Sequence, residues 1–400
     1  MKKLSLIFAL ACGVFTGCSS SDEPVVVDVP VPEFMVSESV AASELGEFDV
    51  RFFEAVNAGH TATNVVSSPL SASMLLSLVA TSCHTELSEQ ICNALGCDDI
   101  SSLNSLADKY MSWLPNADAN VALSLANALW YDQSYTLNPD FSAMAQKYYG
   151  AEIFARDFSQ EENLLSDING WSNRRTNGLI DKILNDINPQ LLAVQVNALY
   201  FKGAWATAFD AKDTRRAEFN GLARKSTVDM MYRSGAMDYA EIDEFEVVAL
   251  PFGKGTYKAL FVLPKNNPDI DAFIASEALR SVPGMKYSSY DVSLSIPKFK
   301  LMSPDMSLDE VVNALGIDNL SGELNLFTEK MDVAHQLFQK ATIEINESGA
   351  EASAITWDGI LGSSGIESEK RTLTFDRPFA FFITERATNR CLFAGKVANL

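Results

Sequence analysis

Residues 341–375 read ATIEINESGAEASAITWDGILGSSGIESEKRTLTF. From Ala341 to Asn346 the residues alternate. Thr342, Glu344 and Asn346 share one face and Ile343 and Ile345 the other, the period-two signature of a strand. Glu347-Ser348-Gly349 interrupts it. Ala350, Ala352, Ala354 and Thr356 then recur at period two against Glu351, Ser353, Ile355 and Trp357. A face of small residues opposite mostly larger or polar ones is the pattern of a strand that fits a narrow slot. Yet Gly359 to Lys370 is rich in glycine, serine and charge, which is loop chemistry. The stretch is a strand by pattern and a loop by context. Either it is the long tip of a hairpin, or it is a strand held outside its sheet; long loops in compact domains are mostly functional or disordered.

Reading outward, Phe379 to Thr384 and Cys391 to Val397 form two apolar strands joined by a polar turn at Thr388-Asn389. Upstream, Val292 to Phe299 alternates. Val247 to Leu250 and Tyr257 to Leu263 flank the turn Phe252-Gly253-Lys254-Gly255. Leu192 to Phe201 is almost continuously apolar, broken by Gln195 and Asn197, as expected of a strand covered on both faces. The first half of the chain instead shows helical spacing. It occurs over Glu47–Val56, after Ser68-Pro69, over Asp98–Pro115, after the capping Asn138-Pro139, and over residues 161–177. Helices first and strands later predict an α+β fold. No Pro/Gly/Ser-rich linker splits the interior, so one large domain is expected over residues 41–400.

The net charge is −21, and residues 52–108 contain no Lys or Arg. Phosphate backbones repel such a surface, which argues against a nucleic-acid partner. Only His60, His84 and His335 are present, with no metal-ligand spacing, no GxSxG elbow and no Walker loop. The sequence offers no catalytic constellation and calls for no metal or cofactor. His335, near Leu337 and Phe338, reads as a core histidine.

Met1-Lys2-Lys3 precedes the mostly apolar run Leu4–Phe15, too short to span a bilayer and suited to a secretory signal over residues 1–17. Thr16-Gly17-Cys18-Ser19-Ser20 resembles a bacterial lipoprotein processing site, a resemblance that implies Cys18 as the lipidated residue of a membrane-anchored, extracytoplasmic protein, and Ser-Asp-Glu soon after it resembles signals for the outer-membrane surface. Cys12 is an alternative, and plain secretion with Cys18 as a free thiol is another. Residues 18–40 read as an extended tether. Cys83, Cys92, Cys97 and Cys391 either form disulfides, with three possible pairings, or remain buried thiols.

Glu347-Ser-Gly-Ala-Glu-Ala-Ser-Ala354 resembles the hinge of the reactive-centre loop of the serpins, a family of protease inhibitors. Asn64-Val-Val-Ser-Ser-Pro-Leu-Ser71 and Gln195-Val-Asn-Ala-Leu-Tyr-Phe-Lys-Gly-Ala-Trp205 resemble further family motifs. So do Leu250-Pro-Phe252, Leu263-Pro264, Ile296-Pro-Lys-Phe299, Arg377-Pro-Phe379 and Phe393-Ala-Gly395. They are collinear over nearly the whole mature chain.

This resemblance implies three β-sheets, eight to nine helices and an exposed reactive loop. It implies a monomer that traps a serine-type endopeptidase as a covalent acyl-enzyme. The cleaved loop then inserts as a new strand, moving the protease roughly 50 Å for about 15 inserted residues. Glu347, Gly349, Ala350, Ala352 and Ala354 are the hinge by this resemblance. Ser68, Asn197 and His335 are the shutter, expected to form a buried hydrogen-bonded cluster, and Trp205 is the breach. Counting from Gly349 places the reactive bond at Ser363-Ser364. Because the loop is longer than usual, Leu361 and Ile366 are alternatives. Small residues there imply an elastase- or subtilisin-like target. Asp358 departs from the pattern, since a carboxylate on the inserted face is costly to bury. It leaves room for a non-inhibitory member acting as a surface binding module.

Overall fold

The computed structural model describes residues 30–83, 86–97, 99–265, 269–304, 307–350 and 369–400. In chain order, the first half runs α1 (Val36–Ala58), β1 (Val65–Ser67), α2 (Pro69–Ser82), α3 (Glu86–Leu95), α4 (Ile100–Trp113), β2 (Val121–Asp132), α5 (Pro139–Tyr149), β3 (Glu152–Arg156) and α6 (Glu161–Arg175). Then come β4 (Ala193–Ala204), β5 (Arg215–Asn220), β6 (Lys225–Glu241), β7 (Phe245–Phe252), β8 (Tyr257–Pro264), α7 (Ile270–Ile274), α8 (Glu277–Arg280), β9 (Ser288–Pro297), β10 (Phe299–Met302) and α9 (Asp309–Val312). The chain ends with β11 (Gly322–Glu323), β12 (Asp332–Val333), β13 (His335–Lys340), β14 (Thr342–Asn346), β15 (Gly349–Ala350), β16 (Lys370–Thr374), β17 (Phe379–Glu385) and β18 (Cys391–Val397). Nine α-helices and three sheets lie among the described residues, matching the α+β expectation.

One sheet has the order β10-β14-β15-β4-β2-β3, with β13 also pairing β4. A second runs β1-β18-β17-β8-β7-β6-β9-β16, with β5 on β6, and the third is the β11–β12 pair. Strand β4 is buried on both faces, as its apolar run predicts. Val194, Val196 and Ala198 pack into a core with Leu164, Ile168 and Trp171 of α6. Ala193, Leu199 and Phe201 join the larger core on the other side.

Beneath that sheet α2 is buried at every residue, so its serines have no water to meet. They turn inward instead: Ser73 Oγ donates to Leu70 O (2.9 Å) and Ser77 Oγ to Ser73 O (2.7 Å). The predicted caps are present. Ser68 Oγ accepts from Ser71 N at the start of α2, and Asn138 Oδ1 accepts from Asp140 N (2.9 Å) at the start of α5.

Two expectations change. The stretch read as tether, 18–40, becomes structure near its end. Phe34 packs its ring 6.3 Å from Tyr110 and Trp113, and α1 starts at Val36 rather than Glu47. The cause is Glu38, which caps the helix by accepting from Met35 N (2.6 Å) and is buried in an ion pair with Lys109 (2.5 Å). The four cysteines of the body are free thiols, which removes the disulfide alternative. Cys18 lies outside the described residues.

Candidate functional site

The hinge begins where β14 ends. Asn346 Oδ1 accepts from Ser348 N (2.9 Å) and Gly349 N (3.3 Å), folding the chain back on itself. Gly349 and Ala350 then pair with Asn346 and Ile345 on one side and with Ala204 and Gly203 of β4 on the other. Two residues of the hinge therefore already sit as a strand between β14 and β4. Gly349 must be glycine here: its φ is +141°, and a Cβ would lie 2.1 Å from Gly203 O. Ala350 is fully buried, so its small side chain is also a packing requirement. Ala352, Ala354 and the reactive-bond candidates Leu361, Ser363, Ser364 and Ile366 lie outside the described residues, as does Asp358.

Glu347 anchors the turn. Its carboxylate meets Lys298 Nζ at 2.9 Å and accepts from Thr214 Oγ1 at 2.9 Å, which together hold it below its ordinary pKa despite burial. Its carbonyl accepts from Phe209 N (2.9 Å). Trp205 closes the top of β4. The indole stacks on Phe252 with centroids 4.3 Å apart, Nε1 donates to Asn346 O (3.0 Å), and the backbone N donates to Ser348 O (2.9 Å). Trp205 thus ties β4 to both sides of the hinge turn.

Below the hinge, β13 pairs directly with β4 from His335↔Ala193 to Lys340↔Ala198. The sheet is open by two residues at the top and closed beneath. A strand entering further has to separate these six pairs.

The expected cluster of Ser68, Asn197 and His335 is rearranged. All three are buried, but they do not bond one another. The residue that meets Ser68 is Gln339, whose Oε1 accepts from Ser68 N (3.2 Å) and whose register partner in β4 is Asn197. Asn197 Nδ2 donates to Asn127 Oδ1 (2.8 Å), and Asn127 Nδ2 to Tyr149 O (2.8 Å). His335 lies four residues lower, opposite Ala193, with its backbone N on Ser321 Oγ (3.3 Å). The reason is periodicity: 335, 337 and 339 share one face of a strand, and register alone decides which meets Asn197. Sequence reasoning missed Gln339 and Thr214, and gave no role to Asn127 or to Lys298, which lies inside Ile296-Pro-Lys-Phe299. Gln339 carried a signal, being polar at a period-two position beside a buried strand.

Among the described residues neither ring nitrogen of His335 has a hydrogen-bond partner, and burial lowers its pKa from 6.5 to about 4. The unfolded chain therefore binds a proton near pH 6.5 that the folded chain refuses until about pH 4. Stability is complete above pH 6.5 and falls as the pH drops toward 4, by at most about 3 kcal/mol from this group. Thermal midpoints measured from pH 7.5 to 4.5 are expected to fall less steeply in His335→Gln than in the parent. Parallel curves would show that His335 does not govern the acid limb.

With this geometry in place, the comparisons identify the class. Residues 43–400 match the family model Serpin (serine protease inhibitor), and the chain belongs to that family. It is 28% identical to leukocyte elastase inhibitor A of Mus musculus over 88% of this chain and 97% of the relative. It is 30% identical to Serpin-ZX of Arabidopsis thaliana over 84% and 92%. Among solved structures it resembles the thermophilic serpin tengpin in the native state, with a TM-score of 0.81, 27% identity, and coverage of 93% of this chain and 97% of that one.

Proposed function

We propose that this protein is a suicide-substrate inhibitor of serine endopeptidases with elastase- or subtilisin-like pockets, and not an enzyme itself. The observation that carries the reading is the seating of Gly349 and Ala350 between β14 and β4. The first two positions of an inserting strand are occupied by the residues that fit there, and the next bonds to break are the β13–β4 pairs. The relatives named as leukocyte elastase inhibitors support the same class of target.

The protease serine attacks the carbonyl at Ser363-Ser364, or at a neighbouring bond from Leu361 to Ile366. The peptide bond breaks, the new amino terminus leaves, and an ester joins the protease to the arm that begins at Gly349. The arm then extends the strand already started, displacing β13 from β4 and drawing the acyl-enzyme with it before water hydrolyses the ester. Strained chain segments of this kind release stored free energy on cleavage.

Mixing the protein with pancreatic elastase or subtilisin is expected to give a covalent band on denaturing gels. Mass spectrometry should place the cut between Leu361 and Ile366. Clean cleavage by both proteases with no adduct, and no rise in thermal midpoint on cleavage, would overturn the proposal.

A further inference from the structure

A cavity of about 520 Å³ opens beside the segment that follows Trp205, with Ala206 and Thr207 in its lining. That volume is in the range of small-molecule sites, about 300–1,000 Å³. It lies between the β4–β5 connection, the middle of β6, the β7–β8 turn and the β17–β18 turn. Its apolar wall is Ala206, Met237, Ala249 and Pro251. Ala206 N donates to Pro251 O (2.9 Å), which fixes that wall one residue beyond Trp205.

The charged lining has the opposite sign to the molecule. Arg233, Lys254 and Arg386 face the cavity against one carboxylate, Asp238, in a chain of net charge −21. Arg233 and Arg386 carry the argument. Arg233 donates to Thr207 O and stacks over Phe209 at 5.1 Å, and it makes no ion pair among the described residues. Burial alone lowers its pKa to about 10. Among the described residues Arg386 Nη1 reaches only a backbone carbonyl, Gly255 O at 3.4 Å, and the residue is exposed. A half-buried guanidinium without a counter-ion retains unmet donors and an uncompensated desolvation cost, which an acid group relieves.

We propose that this cavity binds an amphipathic organic anion, a carboxylate or sulfonate with an apolar body. The acid group lies on the Arg233 and Arg386 side and the body against Met237, Ala249 and Pro251. No step of protease trapping enters this inference, so it stands or falls apart from the inhibitor reading.

The test is fluorescence titration of the full chain with 1-anilinonaphthalene-8-sulfonate, set against its uncharged analogue N-phenyl-1-naphthylamine. The sulfonate is expected to bind saturably at one site and more tightly than the neutral analogue. Loss of a charged hydrogen bond in Arg233→Ala or Arg386→Ala should raise the dissociation constant about ten-fold or more. Ala236→Glu, which adds a carboxylate at an exposed rim position, should do the same, whereas Lys225→Ala, outside the cavity lining, should not. Circular dichroism checks each fold, and because Arg386 and Ala236 are exposed, their variants serve if Arg233→Ala misfolds. Absence of saturable binding, equal affinity for the neutral analogue, or unchanged affinity in both Arg386→Ala and Ala236→Glu would overturn the proposal.

Discussion

Ala350→Arg is expected to abolish the covalent complex with elastase and leave the protein a substrate that is cut and released. Ala350 is fully buried in the sheet, paired with Ile345 and with Gly203. An arginine there must either bury its guanidinium unpaired, at a cost of several kcal/mol, or keep the hinge out of the slot. Either way the arm cannot advance past its second residue. Trapping is a race between insertion and hydrolysis of the ester, so slowing insertion by about 1.4 kcal/mol already shifts the partition ten-fold. Gels and titration of residual protease activity read this directly: the adduct band should vanish while the rate of loop cleavage persists. Ala350→Ser, small and neutral, should retain the complex. An undiminished adduct in Ala350→Arg would show that insertion does not proceed through this position.

The second large effect lies far from the hinge. Asp49→Ala is expected to lower stability by about 3–5 kcal/mol, the cost of leaving one partner of a buried pair alone. Arg390 is fully buried and meets Asp49 at 3.0 Å. Its Nη2 donates to Ser73 Oγ (2.8 Å), and its backbone N donates to the buried carboxylate of Glu385 (3.1 Å). Asp49 also accepts from Cys391 N (2.8 Å), so one side chain joins α1 to the start of β18. Burial pushes the Asp49 carboxyl up to about 7 against the pull of Arg390. The comparison therefore belongs at pH 8, where the carboxylate is ionised. Guanidinium unfolding midpoints of Asp49→Ala and Asp49→Asn decide the matter. The amide keeps an acceptor for Cys391 N and should lose less. A change below about 1 kcal/mol in the alanine variant would mean that water or a rearranged Glu385 compensates Arg390.

These two sites differ in how far they were legible from sequence. The alternation of small residues after Gly349 was, because it is local and has a period that can be counted, although only the family resemblance made it a hinge. The Asp49–Arg390 pair was not: the partners are 341 positions apart, and neither stands out among the chain's charges. Helices with side-chain caps, such as α2 and α5, were legible at their starts because Ser68 and Asn138 act on backbone groups two or three residues away. The beginning of α1 was not, since Val36 to Val40 becomes helical through Glu38 meeting Lys109 and Ser105 of α4. The hairpin β5–β6 also escaped, because its long strand alternates weakly and gains order by pairing with β7 and β9.

By itself, the sequence determined the α+β class, the doubly covered strand β4, the alternation of small residues after Gly349 and the absence of a recognisable catalytic motif. Each of these is written in short-range periodicity or residue chemistry. Only the tertiary structure decided that Gly349 and Ala350 are already seated beside β4. It alone decided that Gln339 rather than His335 stands opposite Asn197, and that the cysteines remain thiols. Those are questions of register and distance between remote segments. A period of two fixes which face a side chain takes, but a slide of four residues along the partner strand leaves that face unchanged.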